Sequence, residues 1–213
     1  SASADIAKAV IALGGNATVY GKVYDTTTNA VVNQSAGFTV QMGNATAANG
    51  SVESSTTFMG VVNTSATFNN ASAGSGKTVN LNYSLGDTTN FTIAGGGSTA
   101  TGTTTASIAK ANVSVNGTLS VSDKVYDTTN TAAIGGGFVV QLGNSTLANG
   151  SVNANSTFTS FNITGGFNNA SAGTNKAVNI SYAITDTTNF TLVSGNSTGT
   201  ITGTANISKA NVT

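Results

Sequence analysis

The sequence predicts an all-β protein, two tandem Ig-like antiparallel β-sandwiches, and three observations carry that expectation. The chain repeats itself at about 100 residues, apolar and polar residues alternate within each repeat, and no stretch of useful length has a helix's 3.6-residue rhythm.

The repeat is visible in long blocks. "GFTVQMGNATAANGSV" at 37–52 returns as "GFVVQLGNSTLANGSV" at 137–152. "FNNASAGSGKTVNLNYSLGDTTNFT" at 68–92 returns as "FNNASAGTNKAVNISYAITDTTNFT" at 167–191. "KVYDTT" stands at 22–27 and 124–129; "IAKA" stands at 6–9 and 108–111, followed by "ISKA" at 207–210. The offsets of 102, 100 and 99 residues leave only small loop deletions between copies. A repeat this long exceeds a solenoid unit and suits a small domain. The expected modules are 1–107 and 108–206. Residues 207–213 then form the first strand of a following repeat or a strand donated to another molecule.

The strand signal is strongest in "TVNLNYSL", where Val79, Leu81, Tyr83 and Leu85 alternate with Asn80, Asn82 and Ser84. In the second copy Val178, Ile180, Tyr182 and Ile184 alternate with Asn179, Ser181 and Ala183. A period of two with one apolar face is a half-buried strand. "ANG" at 48–50 and 148–150 supplies Asn-Gly, a strong hairpin turn signal.

Charge is scarce, at 7% of 213 residues, and the formal net charge is zero. All seven basic residues are lysines at repeat-equivalent positions: Lys8, Lys110 and Lys209, then Lys22 and Lys124, then Lys77 and Lys176. Asp25 pairs with Asp127 and Asp87 with Asp186. A charge repeated in every module is expected to serve the scaffold. There is no basic footprint for nucleic acid. No apolar run approaches the roughly 18 residues of a span, so no membrane insertion is expected. "SASAD" at the start has no charged n-region or apolar core, so no leader peptide is read within these residues. The absence of Cys removes disulfides and fits an exported chain that cannot rely on a disulfide catalyst.

Chemistry fails on inventory. Without His or Cys, the usual general base, nucleophile pairs and zinc ligands are missing. Glu53 is the only glutamate, and Asn153 replaces it in the second copy. No enzyme activity, cofactor or metal site is expected. "AGSGKT" at 73–78 lacks the first glycine of a phosphate loop, and its twin reads "AGTNKA". "AGGGS" at 94–98 and "IGGGF" at 134–138 lack a dinucleotide fingerprint's strand–helix setting and read as turns. Asp25 and Asp127 could ligate calcium, but no Asp-x-Asp cluster accompanies them, and a turn cap is the favoured reading. Tyr24 and Tyr126 are expected in the core or at module junctions.

"KVYDTT", followed by "FNNASAGSGKTVNLNYSLGDTTNFTI" and "SIAKANVSV", resembles the YDG-type repeat of bacterial filamentous-haemagglutinin-like surface adhesins. That pattern runs Lys-Val-Tyr-Asp-Gly-Thr-Thr, then Asn-Val-Gly-x-x-Lys, then Asp-Ala-x-Asn-Tyr, then a lysine-bearing link. Here Thr26 and Thr128 replace the glycine, and Phe91 and Phe190 replace the tyrosine. The resemblance covers nearly all of both copies. It implies Ig-like sandwiches in tandem on a cell surface or filament, with no chemistry to carry over.

The asparagines are the remaining signal. Ser and Thr make up 61 of 213 residues, so chance would place one two positions after about eight of the 27 asparagines, yet 20 have one. The candidate N-glycosylation sites begin with Asn16, Asn33, Asn44, Asn49, Asn63, Asn70, Asn82, Asn90, Asn112 and Asn116. Asn144, Asn149, Asn155, Asn162, Asn169, Asn179, Asn189, Asn196, Asn206 and Asn211 follow. Duplication accounts for some, Asn63 and Asn162 among them, but Asn16, Asn33, Asn116, Asn155 and Asn196 add to it. Strand parity places Asn82, Asn90, Asn112, Asn162, Asn179 and Asn211 on outward faces, which a glycan requires.

These residues point to a non-enzymatic structural repeat of a heavily N-glycosylated adhesin stalk or filament, secreted, at the cell surface or in an extracellular filament. Its expected partners are neighbouring repeats or subunits of the same protein and covalent N-linked glycans. The alternatives are a carbohydrate- or receptor-binding module and a filament subunit polymerising by strand exchange.

Overall fold

A computed structural model describes residues 2–3, 5–33, 38–42, 62–117, 120–135, 138–142 and 161–211. The described residues form strands, turns and extended segments, with no helix among them, so the protein is all-β. The chain divides into two compact units, one of Ser1–Lys22 and Thr26–Ala109, the other of Val23–Asp25 and Lys110–Thr213. The hairpin turns expected at 48–50 and 148–150 lie outside the described residues.

Each copy repeats one set of strands. In the first, β1 (Ala9–Gly15) lies between β6 (Phe38–Met42) and β9 (Phe91–Ile93) in a three-stranded sheet. A five-stranded sheet runs β3 (Lys22–Val23), β10 (Thr99–Ala109), β8 (Gly74–Leu85), β7 (Val62–Phe68), β4 (Asn29–Ala30). β2 (Thr18–Val19) pairs with β5 (Val32–Asn33). In the second copy β11 (Ala111–Gly117) lies between β16 (Phe138–Leu142) and β19 (Phe190–Leu192). Its five-stranded sheet runs β13 (Lys124–Val125), β20 (Thr198–Ser208), β18 (Gly173–Ile184), β17 (Phe161–Phe167), β14 (Thr131–Ala132). β12 (Ser120–Val121) pairs with β15 (Ile134–Gly135).

The expectation of purely antiparallel sheets needs correction. β1 runs parallel to β9, with Ala9 opposite Phe91 and Ile11 opposite Ile93; β11 and β19 repeat this, and β13 runs parallel to β20. A tight hairpin forces an antiparallel pair, whereas strands joined by a long stretch of chain can meet in either sense. About 75 residues separate β1 from β9, so the direction of that pair is free.

The alternation in β8 and β18 sorts side chains to two faces. Val79, Leu81 and Tyr83 are 0%, 0% and 3% exposed, while Asn80 and Asn82 face solvent. Val178, Ile180 and Ile184 are equally buried, while Asn179 and Ser181 are exposed. In the second unit this apolar face has two coverings. Ile184 joins Val23, Ala111, Val113 and Leu192 in a cluster flanked by Tyr24, Phe161, Tyr182 and Phe190. Val178 and Ile180 join Ala132, Phe167, Ala205 and Ile207 in another, flanked by Val121, Ile134 and Ile163. The five-stranded sheet is thus capped by the β11 sheet at one end and by the β12–β15 ribbon at the other. A buried aliphatic side chain contributes about 1.5–3 kcal/mol, so these two clusters are the main driving force for the unit.

Candidate glycosylation surface

The outer face of each five-stranded sheet is a carpet of small polar residues. In the first copy exposed Asn82 lies opposite Ser65 on β7 and Thr101 on β10. In the second, exposed Asn179 lies opposite Gly166 and Thr202. Asn63 and Asn162 stand exposed at equivalent ends of β7 and β17. The threonines at 99, 101, 103 and 105 and at 198, 200, 202 and 204 complete the carpet, all of them exposed. Polar residues stand here because the opposite parity is spent on the core.

Of the candidate sites, Asn16, Asn63, Asn70, Asn82, Asn90, Asn162, Asn169, Asn179, Asn196 and Asn211 are exposed. Asn33, Asn112, Asn189 and Asn206 are half-buried, and none of these fourteen is buried. Asn90 sits in the turn before β9 rather than on a strand face. Asn116 lies in β11, its side chain not described; Asn44, Asn49, Asn144, Asn149 and Asn155 fall outside the described residues.

Hydrogen bonding divides these asparagines further, because an N-glycan attaches at Nδ2. Asn70 and Asn169 use Oδ1: each accepts from the backbone N–H two residues on and from a lysine, Lys77 Nζ at 2.5 Å or Lys176 Nζ at 2.6 Å. A sugar on Nδ2 leaves those bonds intact. Asn90 and Asn189 instead donate from Nδ2 to Asp87 and Asp186, at 2.8 and 2.9 Å. The Asn90 side chain, then its backbone N–H, hold the Asp87 carboxyl below its ordinary pKa.

Asn206 is committed at both ends. Its Oδ1 accepts from Asn175 N–H at 2.8 Å and its Nδ2 donates to Asp123 Oδ2 at 2.9 Å. Its backbone N–H donates to Asp123 Oδ1 at 2.6 Å, the largest cause of that carboxyl's lowered pKa. Asn175 has φ of 50°, in the left-handed region that asparagine tolerates, at the bulge where β18 slips against β20. Sequence patterning does not reveal this triangle. Its one signal is three coupled differences between copies, since Gly21, Gly76 and Ser107 stand where Asp123, Asn175 and Asn206 do.

The "AGSGKT" segment enters β8 at the equivalent bulge, with Gly76 at φ 57° and no helix following, so it is strand rather than a phosphate cradle. The lysines pin loops. Lys8 and Lys110 donate to the carbonyls of Thr88 and Thr187 at 2.7 and 2.6 Å. Lys22, 8% exposed, donates to Thr27 O and Oγ1 and lies 5.8 Å from the Phe68 ring centre. Lys124 donates to Thr129 O, Thr129 Oγ1 and Thr131 O, pairs with Asp127 at 2.7 Å and lies 5.7 Å from the Phe167 ring centre. Asp127 also accepts from Thr129 N–H at 2.9 Å, closing a side-chain-to-backbone turn; with Lys124 as the leading cause, its pKa is lowered to about 2. Among the described residues no group of three or more metal-ligating side chains occurs.

Comparison with protein-family models, with curated proteins and with solved structures finds no match to this chain.

Proposed function

We propose that the protein is a non-enzymatic structural segment of a secreted, heavily N-glycosylated stalk or filament. In this reading each copy is an Ig-like sandwich of the YDG-repeat type, standing at a cell surface or in an extracellular filament. The observation that carries it is that 20 of 27 asparagines open a sequon and that none of the fourteen with described exposure is buried. A sugar coat accounts for the solubility of a surface with almost no charge and blocks edge-to-edge association of strands. The φ of 68° at both Thr26 and Thr128 supports the repeat resemblance, because the related pattern has glycine there.

Asn82 and Asn179 sit in the middle of strands. A transferase needs its acceptor accessible and bendable, which a strand within a sheet does not permit. Modification therefore precedes folding, and outward parity lets the glycosylated chain fold with its sugars in solvent. The rival reading, a carbohydrate- or receptor-binding module, finds less support. One groove among the described residues, lined by Asn80, Asn82, Thr101 and Thr103, holds neither aromatic ring nor carboxylate and contains a sequon itself. Glycopeptide mass spectrometry on native material tests the proposal. Glycans are expected at Asn82 and Asn179 and none at Asn29, Asn130 or Asn175; unmodified Asn82, Asn90, Asn179 and Asn189 would leave a bare stalk.

A further inference from the structure

The outer face of the β2–β5 ribbon differs between the two copies in a coupled way. Thr18 stands opposite Asn33, and Tyr20 N–H donates to the Val31 carbonyl at 3.0 Å, which sets Tyr20 opposite Val31. Strand parity places these four side chains on one face, the other being taken by buried Ala17. Tyr20 is 46% and Val31 50% exposed. The second copy keeps the geometry, with Ser120 opposite Gly135 and Ser122 N–H donating to the Ala133 carbonyl at 3.0 Å. It lacks the chemistry: Ser122, Ala133 and Gly135 stand where Tyr20, Val31 and Asn33 do. The exposed apolar pair and the sequon Asn33-Gln34-Ser35 thus occur together in one copy and are missing together from the other.

Ser122 and Ala133 are exposed as well, so this position faces solvent both in a copy that another precedes and in one that another follows. Two side chains fall far short of the roughly 800 Å² per partner that a stable protein contact needs, which rules out a second copy as the occupant. A tethered ligand needs no such area, because a short attachment holds it at an effective concentration of about 1 mM.

We infer that the sugar attached at Asn33 lies back over Tyr20 and Val31. Asn33 is the diagonal neighbour of Tyr20 across the ribbon, about 7–8 Å away, a gap that a pyranose ring on Nδ2 bridges. A pyranose offers a C–H face that packs on an aromatic ring, and Thr18, Tyr20, Val31 and Asn33 bring no charge to meet it. The contact clamps a ribbon that has only two residue pairs in register, Thr18 with Asn33 and Val19 with Val32, and that backbone hydrogen bonding alone secures weakly. The inference rests on the glycosylated reading and deepens it, naming the protein surface that one glycan covers.

The test compares the full chain bearing its native glycans with the same chain made without them. Glycopeptide mass spectrometry is expected to find a glycan at Asn33. Nitration of Tyr20 by tetranitromethane is expected to run about fivefold slower in the glycosylated chain, and a glycosylated Asn33→Gln chain should react like the bare one. Urea midpoints give a second readout. Tyr20→Ser is compatible with the fold, since serine stands at that place in the second copy. It should lower the folded-to-unfolded ratio about fivefold more with glycans than without them, whereas a role within the ribbon alone gives equal losses. Equal nitration of Tyr20 in both forms, or equal losses, overturns the inference and leaves the coat standing. So does a bare Asn33 beside occupied Asn82 and Asn179. Bare sequons throughout sink the coat and this contact with it.

Discussion

Tyr182 lies directly over Gly199, its cross-strand partner, so closely that a Cβ built on Gly199 would run into the ring. Tyr83, at the same position in the first copy, leans instead over Gly102, and its hydroxyl accepts a hydrogen bond from Ala17 N–H at 3.2 Å. The glycine has moved by two residues between copies: Ala100 and Gly102 in one, Gly199 and Ile201 in the other. The tyrosine goes where the side chain is missing, and in the second copy it also stacks on Phe161 at 5.6 Å. Gly199→Ala should therefore destabilise by about 1–3 kcal/mol through overpacking. Thermal melts check this, and Gly199→Ala combined with Ile201→Gly should recover part of the loss.

Thr26 and Thr128 hold φ of 68°, a strained conformation for a β-branched residue, and both side chains are exposed. Replacing Thr128 with Gly relieves about 1–2 kcal/mol of strain and costs part of that through the freer unfolded chain. The expected net gain is about 0.5–1 kcal/mol, read as a higher urea midpoint at unchanged slope.

Acid should loosen the Lys124 loop. An unfolded aspartate titrates near about 3.9, whereas Asp127 titrates near about 2. Its folded pKa is depressed, so its contribution is complete above about pH 4 and is lost as pH falls through about 2. Asp127→Asn removes that dependence. Melting temperatures from pH 5 to 2 should fall less steeply for the variant than for wild type.

Asn206 and Asn82 both open sequons but differ in role. Asn206→Ala removes the side-chain bonds to Asn175 N–H and Asp123 and should cost about 1–2 kcal/mol, the net worth of two hydrogen bonds, one to a carboxylate. Asn82→Ala, on the exposed carpet, should stay within about 0.5 kcal/mol. Urea denaturation of the unglycosylated chain separates them, and equal losses would contradict the division.

The strands at Val79–Leu85 and Val178–Ile184, and the outward placing of Asn82 and Asn179, are legible in the sequence alone. Side-chain parity along a strand follows from local backbone geometry, so a few consecutive residues suffice to read it. The doubling of the chain is legible for the same reason, since repeated blocks carry their local preferences with them. The parallel pairing of Ala9 with Phe91 is not legible, nor is the Asp123–Asn206–Asn175 triangle. Each joins residues from 31 to 83 positions apart, and no local preference specifies which distant groups meet. The unlike settings of Tyr83 and Tyr182 arise similarly: identical residues in near-identical strands turn apart because a neighbouring strand places its glycine differently. Only close packing of the whole sheet decides that, since it leaves each ring a single space to fill.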